Sequence, residues 1–209
     1  MLAHERRGWS SGCSSIAGID EAGRGPLAGP VVAAAVSAPQ ELCEKLFKGS
    51  WQKLNDSKRL TDKSRRAFFL SMPTIEGVSI GVGRCEAAEI DTLNILAATH
   101  LAMKRAVHAL GQPPELALVD GLPVKGLPVP HEAIVGGDGK SLLVAAASVV
   151  AKVTRDDLMI ELDRMYPGYG FASHKGYGTK AHLAALERLG PCPAHRRSFA
   201  PVRQLSLGL

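Results

Sequence analysis

The chain is poor in cysteine, and its few cysteines form no pattern. Cys13, Cys43, Cys85 and Cys192 lie far apart with no C-x-x-C spacing, which argues against a zinc site or a disulfide framework and fits a reducing compartment. Long hydrophobic runs are lacking too. The longest nearly apolar stretch, residues 142–153, is interrupted by Ser148 and Lys152, too short and too polar to span a bilayer. Residues 1–14 carry Glu5, Arg6 and Arg7 without an apolar segment; no signal peptide is expected there, and a cytoplasmic location is. There is no internal repeat and no Walker A loop. The glycines that follow residue 22 are spaced G-x-G-x-x-x-G, from Gly23 to Gly29, which differs from the dinucleotide fingerprint G-x-G-x-x-G and weakens a Rossmann reading.

What remains is an ordinary globular composition. The 209 residues, 45% hydrophobic and 22% charged, fit one domain with a full core and at most a small appendage. A formal charge of +5 allows a polyanionic partner without demanding one. Strands are expected near residues 16–20, 30–37, 78–82, 116–119 and 129–135. Helices are expected from Thr61 or Asp62 to Pro73 and over about 86–110, 141–165 and 180–189. Within the second of these helices, Ile90, Leu93, Leu96, Ala97, Leu101 and Leu110 lie near one face. Residues 1–14 read as a disordered terminus. Strands mixed with helices predict an α/β sheet covered on both sides.

The chemistry concentrates at strand ends. The run Ile16-Ala17-Gly18-Ile19 closes on Asp20 and Glu21, followed by Gly23, Gly25 and Pro26. In a regular strand Asp20 and Glu21 point to opposite faces, so their convergence on one site requires the pleat to break there, at those glycines and that proline. Two further strands lead to acids, Asp120 and Asp138. Each has an ordinary alternative: Asp120-Gly121 forms a turn, and Asp138 caps the next helix. Taken together, four carboxylates at neighbouring strand ends are costly unless cations neutralise them. They suit one or two Mg²⁺ or Mn²⁺ ions beside phosphate oxygens, the arrangement that hydrolyses phosphodiesters.

These residues resemble type 2 ribonuclease H. The resemblance rests on Gly18-Ile19-Asp20-Glu21-Ala22-Gly23-Arg24-Gly25-Pro26, Asn55-Asp56-Ser57-Lys58, Val119-Asp120-Gly121 and Gly137-Asp138-Gly139-Lys140-Ser141. It continues through the segment 145–156, His174-Lys175-Gly176-Tyr177-Gly178-Thr179 and His195-Arg196-Arg197-Ser198-Phe199, in family order over residues 16 to about 203. It implies an RNase H-like fold: a five-stranded mixed sheet flanked by helices, spanning residues 15–179, with a C-terminal helical extension and tail over 180–209.

The same resemblance implies a metal-dependent endoribonuclease acting on RNA/DNA hybrids and on single ribonucleotides embedded in duplex DNA. Cleavage would fall on the 5′ side of the ribonucleotide and leave 3′-OH and 5′-phosphate ends. Asp20, Glu21, Asp120 and Asp138 would be both the metal-binding and the catalytic set. Gly23, Arg24 and Gly25 would read the ribose 2′-OH through the backbone, and Tyr177 would stack on the adjacent sugar. Lys58, Lys152, Lys175 and Arg24 are candidates for phosphate contacts. Ser148 and Thr179 either bond a phosphate or serve their own helices. Ser141, Ala145, Ser148, Lys152 and Arg155 form a small and polar stripe on the helix that follows Asp138.

Two competing readings share the fold, a type 3 ribonuclease H and a non-catalytic nucleic-acid-binding module. A metal-dependent phosphatase or nucleotide enzyme is a third. The protein is expected to act as a monomer. Its last six residues, Gln204-Leu205-Ser206-Leu207-Gly208-Leu209, read either as a frayed tail or as a short peptide that docks on the DNA sliding clamp through Gln204, Leu205, Leu207 and Leu209.

Overall fold

A computed structural model of the protein describes residues 1–54 and 60–206. Lys58, Leu207 and Leu209 therefore lie outside the described residues. The sheet is mixed. Strand β1 (Ile16–Ala22) is central, antiparallel to β2 (Val31–Ser37) on one side and parallel to β4 (Leu116–Asp120) on the other; β3 (Ser79–Cys85) and β5 (His131–Ile134) form the edges, giving the order β3-β2-β1-β4-β5. The inner strands are buried on both faces, as their near-continuous runs of Ile, Val and Ala require.

Helix α6 (Leu142–Met165) crosses one face and reaches the sheet at Gly18, where a Cβ would lie 2.1 Å from the Leu143 carbonyl carbon. Only a glycine lets the helix sit that close. On the same face pack α1 (Ala3–Ser10), α2 (Gln40–Lys48) and α3 (Asp62–Ser71), the last capped by Thr61, whose hydroxyl accepts from the Ser64 amide at 3.2 Å. Helices α4 (Ala87–Leu93) and α5 (Ile95–His108) pack on the other face. A third cluster joins Leu27, Ala28 and Met159 to residues of α7 (Phe171–His174), α8 (Lys180–Leu189) and α9 (Ala200–Ser206).

Several expectations need correction. The terminus read as disordered forms α1, because its charged residues find partners: Glu5 is fully buried and accepts from the Ser141 hydroxyl at 2.6 Å and the Leu143 amide at 3.1 Å, while Arg6 pairs with Glu44. The single helix expected over 86–110 is two. Asn94 takes a positive φ of 70° and its side chain caps α5 through the Leu96 and Ala97 amides. That break turns the apolar face, so Leu93 and Leu96 are exposed while Ala98, Ala102, Met103 and Ala106 are buried. Helix α2, not expected from the sequence, buries Cys43 and Leu46. The expected boundary at residue 180 does not divide the packing, since residues on both sides of it share the third cluster.

Candidate active site

The site opens where β1 and β4 part. Their ladder ends at Ile19↔Val119, whereas β1 stays paired to β2 through Ala22↔Val32. The strand thus continues past the acidic pair and ends after Ala22, at Gly23, the first of the residues expected to break it. The earlier parting of β4 leaves space beside Asp20 and Glu21 at that end. Asp120, the last residue of β4, accepts from the Gly137 amide at 2.6 Å, which fixes the short 3₁₀ turn Gly137–Gly139 that carries Asp138. Asp20 and Asp138 are buried, each with 6% exposure.

A cleft of about 490 Å³ lies at this end of the sheet, lined by Glu21, Gly23, Asp138, Ser148, Lys152, Arg155 and Tyr177 together with Arg65. Asp20 sits behind it, with Oδ1 accepting from the Glu21 amide at 2.7 Å. Burial first, then the negative charges of Glu21 and Asp120, push the Asp20 carboxyl well above the usual carboxylate range; the Glu21 amide, and after it Ser148, only partly oppose this. Burial also raises Glu21. Arg24 works against that shift from 3.1 Å, and Asp120 adds to it. The buried Glu21 Oε2 has no hydrogen-bond partner.

A divalent cation fits these observations. The donors are carboxylate oxygens, the hard ligands that Mg²⁺ and Mn²⁺ prefer; three acids repel one another, and one buried carboxylate oxygen lacks a partner. The expectation of a gathered set is met only in part. Among the described residues, no group of three or more His, Cys, Asp or Glu is already arranged around an ion position. Like charges do not draw together without a counter-charge between them.

The other candidates divide. Gly25 faces Tyr177: a Cβ at residue 25 would lie 3.7 Å from the Tyr177 ring, which is 49% exposed. Ser148 lies close enough to Asp20 to lower its carboxyl slightly, and Lys152 pairs with Asp156 at 2.8 Å at the cleft wall. Arg24 is exposed and bound to Glu21. Lys175 is not in this cleft; it donates to the Ala172 carbonyl and borders a separate groove with Asp62, Arg66 and Asp156. Thr179 caps α8, accepting from the His182 amide at 3.2 Å. Of the stripe on α6, Ser141 caps the helix and is turned away to Glu5, while Ser148, Lys152 and Arg155 reach the cleft.

Sequence reasoning missed Arg65, whose only signal was its place in a helix following a basic loop. It placed Arg155 on the stripe but missed its burial beside Arg196, and it passed over the histidine pair described next. The His182 ring contacts the Tyr177 carbonyl at 2.9 Å and His195 at 3.1 Å, and His195 Nδ1 accepts from the Cys192 amide. That last bond fixes the tautomers: His195 Nε2–H donates to His182 Nε2, and His182 Nδ1–H donates to Tyr177. Both rings are neutral in this arrangement.

Comparison with known proteins places these features in a class and then in a family. The fold matches the crystal structure of the ribonuclease H2 from Pyrococcus horikoshii OT3, with a TM-score of 0.76 at 26% identity over 93% of this chain and 98% of that one. A ribonuclease HII from Archaeoglobus fulgidus, solved in complex with PCNA, matches with a TM-score of 0.70 at 25% identity, covering 87% of this chain and 93% of that one. The family model for ribonuclease HII matches residues 17–202. A ribonuclease HII from Desulfitobacterium hafniense (strain Y51) is 52% identical over 204 residues, 98% of this chain and 75% of that protein. One from Syntrophotalea carbinolica is 50% identical over 203 residues, 97% of this chain and 93% of its own. The chain belongs to the ribonuclease HII family, the metal-dependent endoribonucleases that cut the RNA strand of RNA/DNA hybrids. Among the described residues no helix is long and apolar enough to cross a membrane.

Proposed function

We propose that this protein also cleaves duplex DNA at single embedded ribonucleotides, on their 5′ side, using two Mg²⁺ or Mn²⁺ ions held by Asp20, Glu21, Asp120 and Asp138. The observation that carries this reading is the juxtaposition of a repulsive acid cluster with an open glycine loop and an exposed tyrosine across one cleft. Ions bound at the acids would neutralise the phosphate and supply an activated water. The chain's own residues do the rest. Gly25, lacking a Cβ, leaves room for a sugar against the backbone, and a 2′-OH is both donor and acceptor. The Tyr177 ring offers a face for the neighbouring sugar. Lys152 and Arg65 line the same cleft and suit phosphate oxygens. The intact acidic set disfavours a mere binding module, which gains nothing from carboxylates facing a polyanion.

The test is one incubation of purified protein with Mg²⁺ or Mn²⁺ and a duplex carrying a single ribonucleotide. The reading predicts one cut, with the ribonucleotide at the 5′ end of the downstream fragment. Cleavage of long hybrids but not of this duplex would leave only the broader family activity.

A second reading concerns the C-terminus. We infer docking on a sliding clamp through Gln204, Leu205, Leu207 and Leu209, supported by the hexapeptide pattern and by the archaeal relative solved with PCNA. Gln204 lies in α9, so an extended clamp ligand would require the end of that helix to unwind. A peptide of residues 199–209 should bind purified clamp, and Gln204→Ala with Leu207→Ala and Leu209→Ala should abolish binding without altering cleavage of naked duplex. Absence of binding by the intact protein would leave a frayed tail.

A further inference from the structure

The loop from Gly23 to Pro30 is held from behind by two buried arginines. Arg196, fully buried, donates from Nε to the Gly29 carbonyl at 3.0 Å, from Nη1 to the Arg24 carbonyl at 2.9 Å and from Nη2 to the Gly23 carbonyl at 2.6 Å. Arg155, 1% exposed, donates from Nε to the Pro30 carbonyl at 3.0 Å and from Nη2 to the Ala28 carbonyl at 3.2 Å. Five carbonyls of one short loop are thus turned inward onto two guanidinium forks. The loop is tied further by Leu27 to Gly176, Arg196 to Leu27 and Gly29 to Ala194. Gly23 completes the fit, since a Cβ there would lie 1.9 Å from Arg155 Nε and its φ is +94°.

This is a costly arrangement if its only purpose is stability. Among the described residues neither guanidinium forms an ion pair with a carboxylate. The two positive charges also repel: burial first and Arg155 next push Arg196 down to about 9. A buried unpaired charge is generally less stable than an apolar replacement of similar size. What the forks accomplish is orientation. With the Gly23 and Arg24 carbonyls turned onto Arg196, the trans peptide planes point the Arg24 and Gly25 amides the opposite way, and those amides donate to no acceptor among the described residues.

We propose that Arg155 and Arg196 are positioning residues for ribonucleotide selection, fixing the peptide planes of Gly23, Arg24 and Gly25 so that their backbone groups meet the sugar without reorganisation. This rests on the reading of the loop as the sugar sensor. The lysine variants separate it from a structural role, because Lys keeps the charge but cannot span two or three carbonyls. In Arg196→Lys, kcat at a single ribonucleotide should fall about 100-fold, the cost of a misplacement near 1 Å. Affinity for an all-DNA duplex of the same sequence should change less than about two-fold, since phosphate contacts dominate it. Arg155→Lys should show the same split more mildly. A folded Arg196→Lys with wild-type kcat, or with equal losses in kcat and affinity, would overturn the proposal.

If both variants fail to fold, ¹⁵N relaxation of the wild-type protein decides. Gly23, Arg24 and Gly25 should have order parameters near 0.85, like the strands, whereas values below about 0.6 would refute preorganisation. Failure of the wild type to cut the ribonucleotide-bearing duplex, with a rigid loop, would instead sink the functional reading and leave the positioning geometry without a substrate.

Discussion

The two walls of the cleft are built on opposite terms. On the acid wall, Asp20, Glu21 and Asp120 push against one another and Glu21 Oε2 lacks a partner. On the loop wall almost every inward polar group is satisfied: five carbonyls by two arginines, and the Tyr177 carbonyl by a chain of two neutral histidines. Under the proposed function the difference separates two tasks. A site for cations must carry uncompensated negative charge before they arrive, so it stores repulsion. A site that distinguishes one hydroxyl group must not move, so it is over-determined.

The most severe way to test the acid wall is to neutralise it. Asp20→Asn or Asp138→Asn should lower cleavage by at least about 100-fold in Mg²⁺, while duplex binding holds or improves as negative charge leaves the cleft. Steady-state cleavage beside a filter-binding assay reads both quantities. Wild-type turnover in Asp20→Asn would end the metal assignment. The loop wall should respond differently. Tyr177→Ala removes the proposed stacking face; base–aromatic stacking is worth about 1–3 kcal/mol, so if the ring packs on the sugar, cleavage at one ribonucleotide should fall roughly ten-fold with a smaller loss of duplex affinity. Tyr177→Phe should be milder. Equal losses in binding and cleavage for Tyr177→Ala would show that the ring adds affinity and no selectivity.

How far the sequence revealed this contrast depended on the kind of signal. Strands and long helices were legible because Ile16–Ile19, residues 31–36 and residues 142–153 are apolar runs bounded by glycine, proline or caps. The four acids were legible because each follows such a run. The brace was not. Arg196 stands in His195-Arg196-Arg197, which as a string resembles a solvated basic tail; only the tertiary fold carries it under residues 23–29. Glu5 was hidden in the same way, since a carboxylate buried as a cap for a helix 136 residues away has no local signature. Asn94 was missed because a capping side chain inside an apolar helical pattern resembles an ordinary polar position.

The histidine chain predicts a moderate pH effect confined to the loop wall. Burial first and His182 next lower His195 from its ordinary 6.5 to about 4. A base whose folded value is depressed binds more protons unfolded than folded between those two values, so stability is intact above about 6.5 and is lost as pH falls toward about 4. The slope is at most roughly 1.4 kcal/mol per pH unit for one proton. His195→Gln, which cannot titrate, should flatten the acid limb of a denaturant midpoint measured from pH 7 to 4.5, even though its stability at pH 7 is lower. An acid limb as steep as that of the wild type would move the titration to other groups, His182 first among them, since burial lowers it as well.

The smallest effect is the most diagnostic, because its sign reverses with metal. The raised Asp20 value means that, without cations, the folded protein holds its proton more tightly than the unfolded chain does. Stability from that proton is present below the usual carboxylate range and is lost as pH rises through the folded value, so at pH 7 the metal-free protein bears the cost. Asp20→Asn removes that charge and keeps an oxygen to accept from the Glu21 amide. The gain should be on the order of 1–2 kcal/mol, a rise of roughly 3–6 °C in Tm for a chain of this size. With millimolar Mn²⁺ the order should invert, since the wild type gains binding energy that the variant cannot. Thermal unfolding of both proteins in chelator and in Mn²⁺ gives four values. A lower Tm for Asp20→Asn in chelator would mean that the acid wall stores no repulsion, and that the contrast between the two walls is wrong.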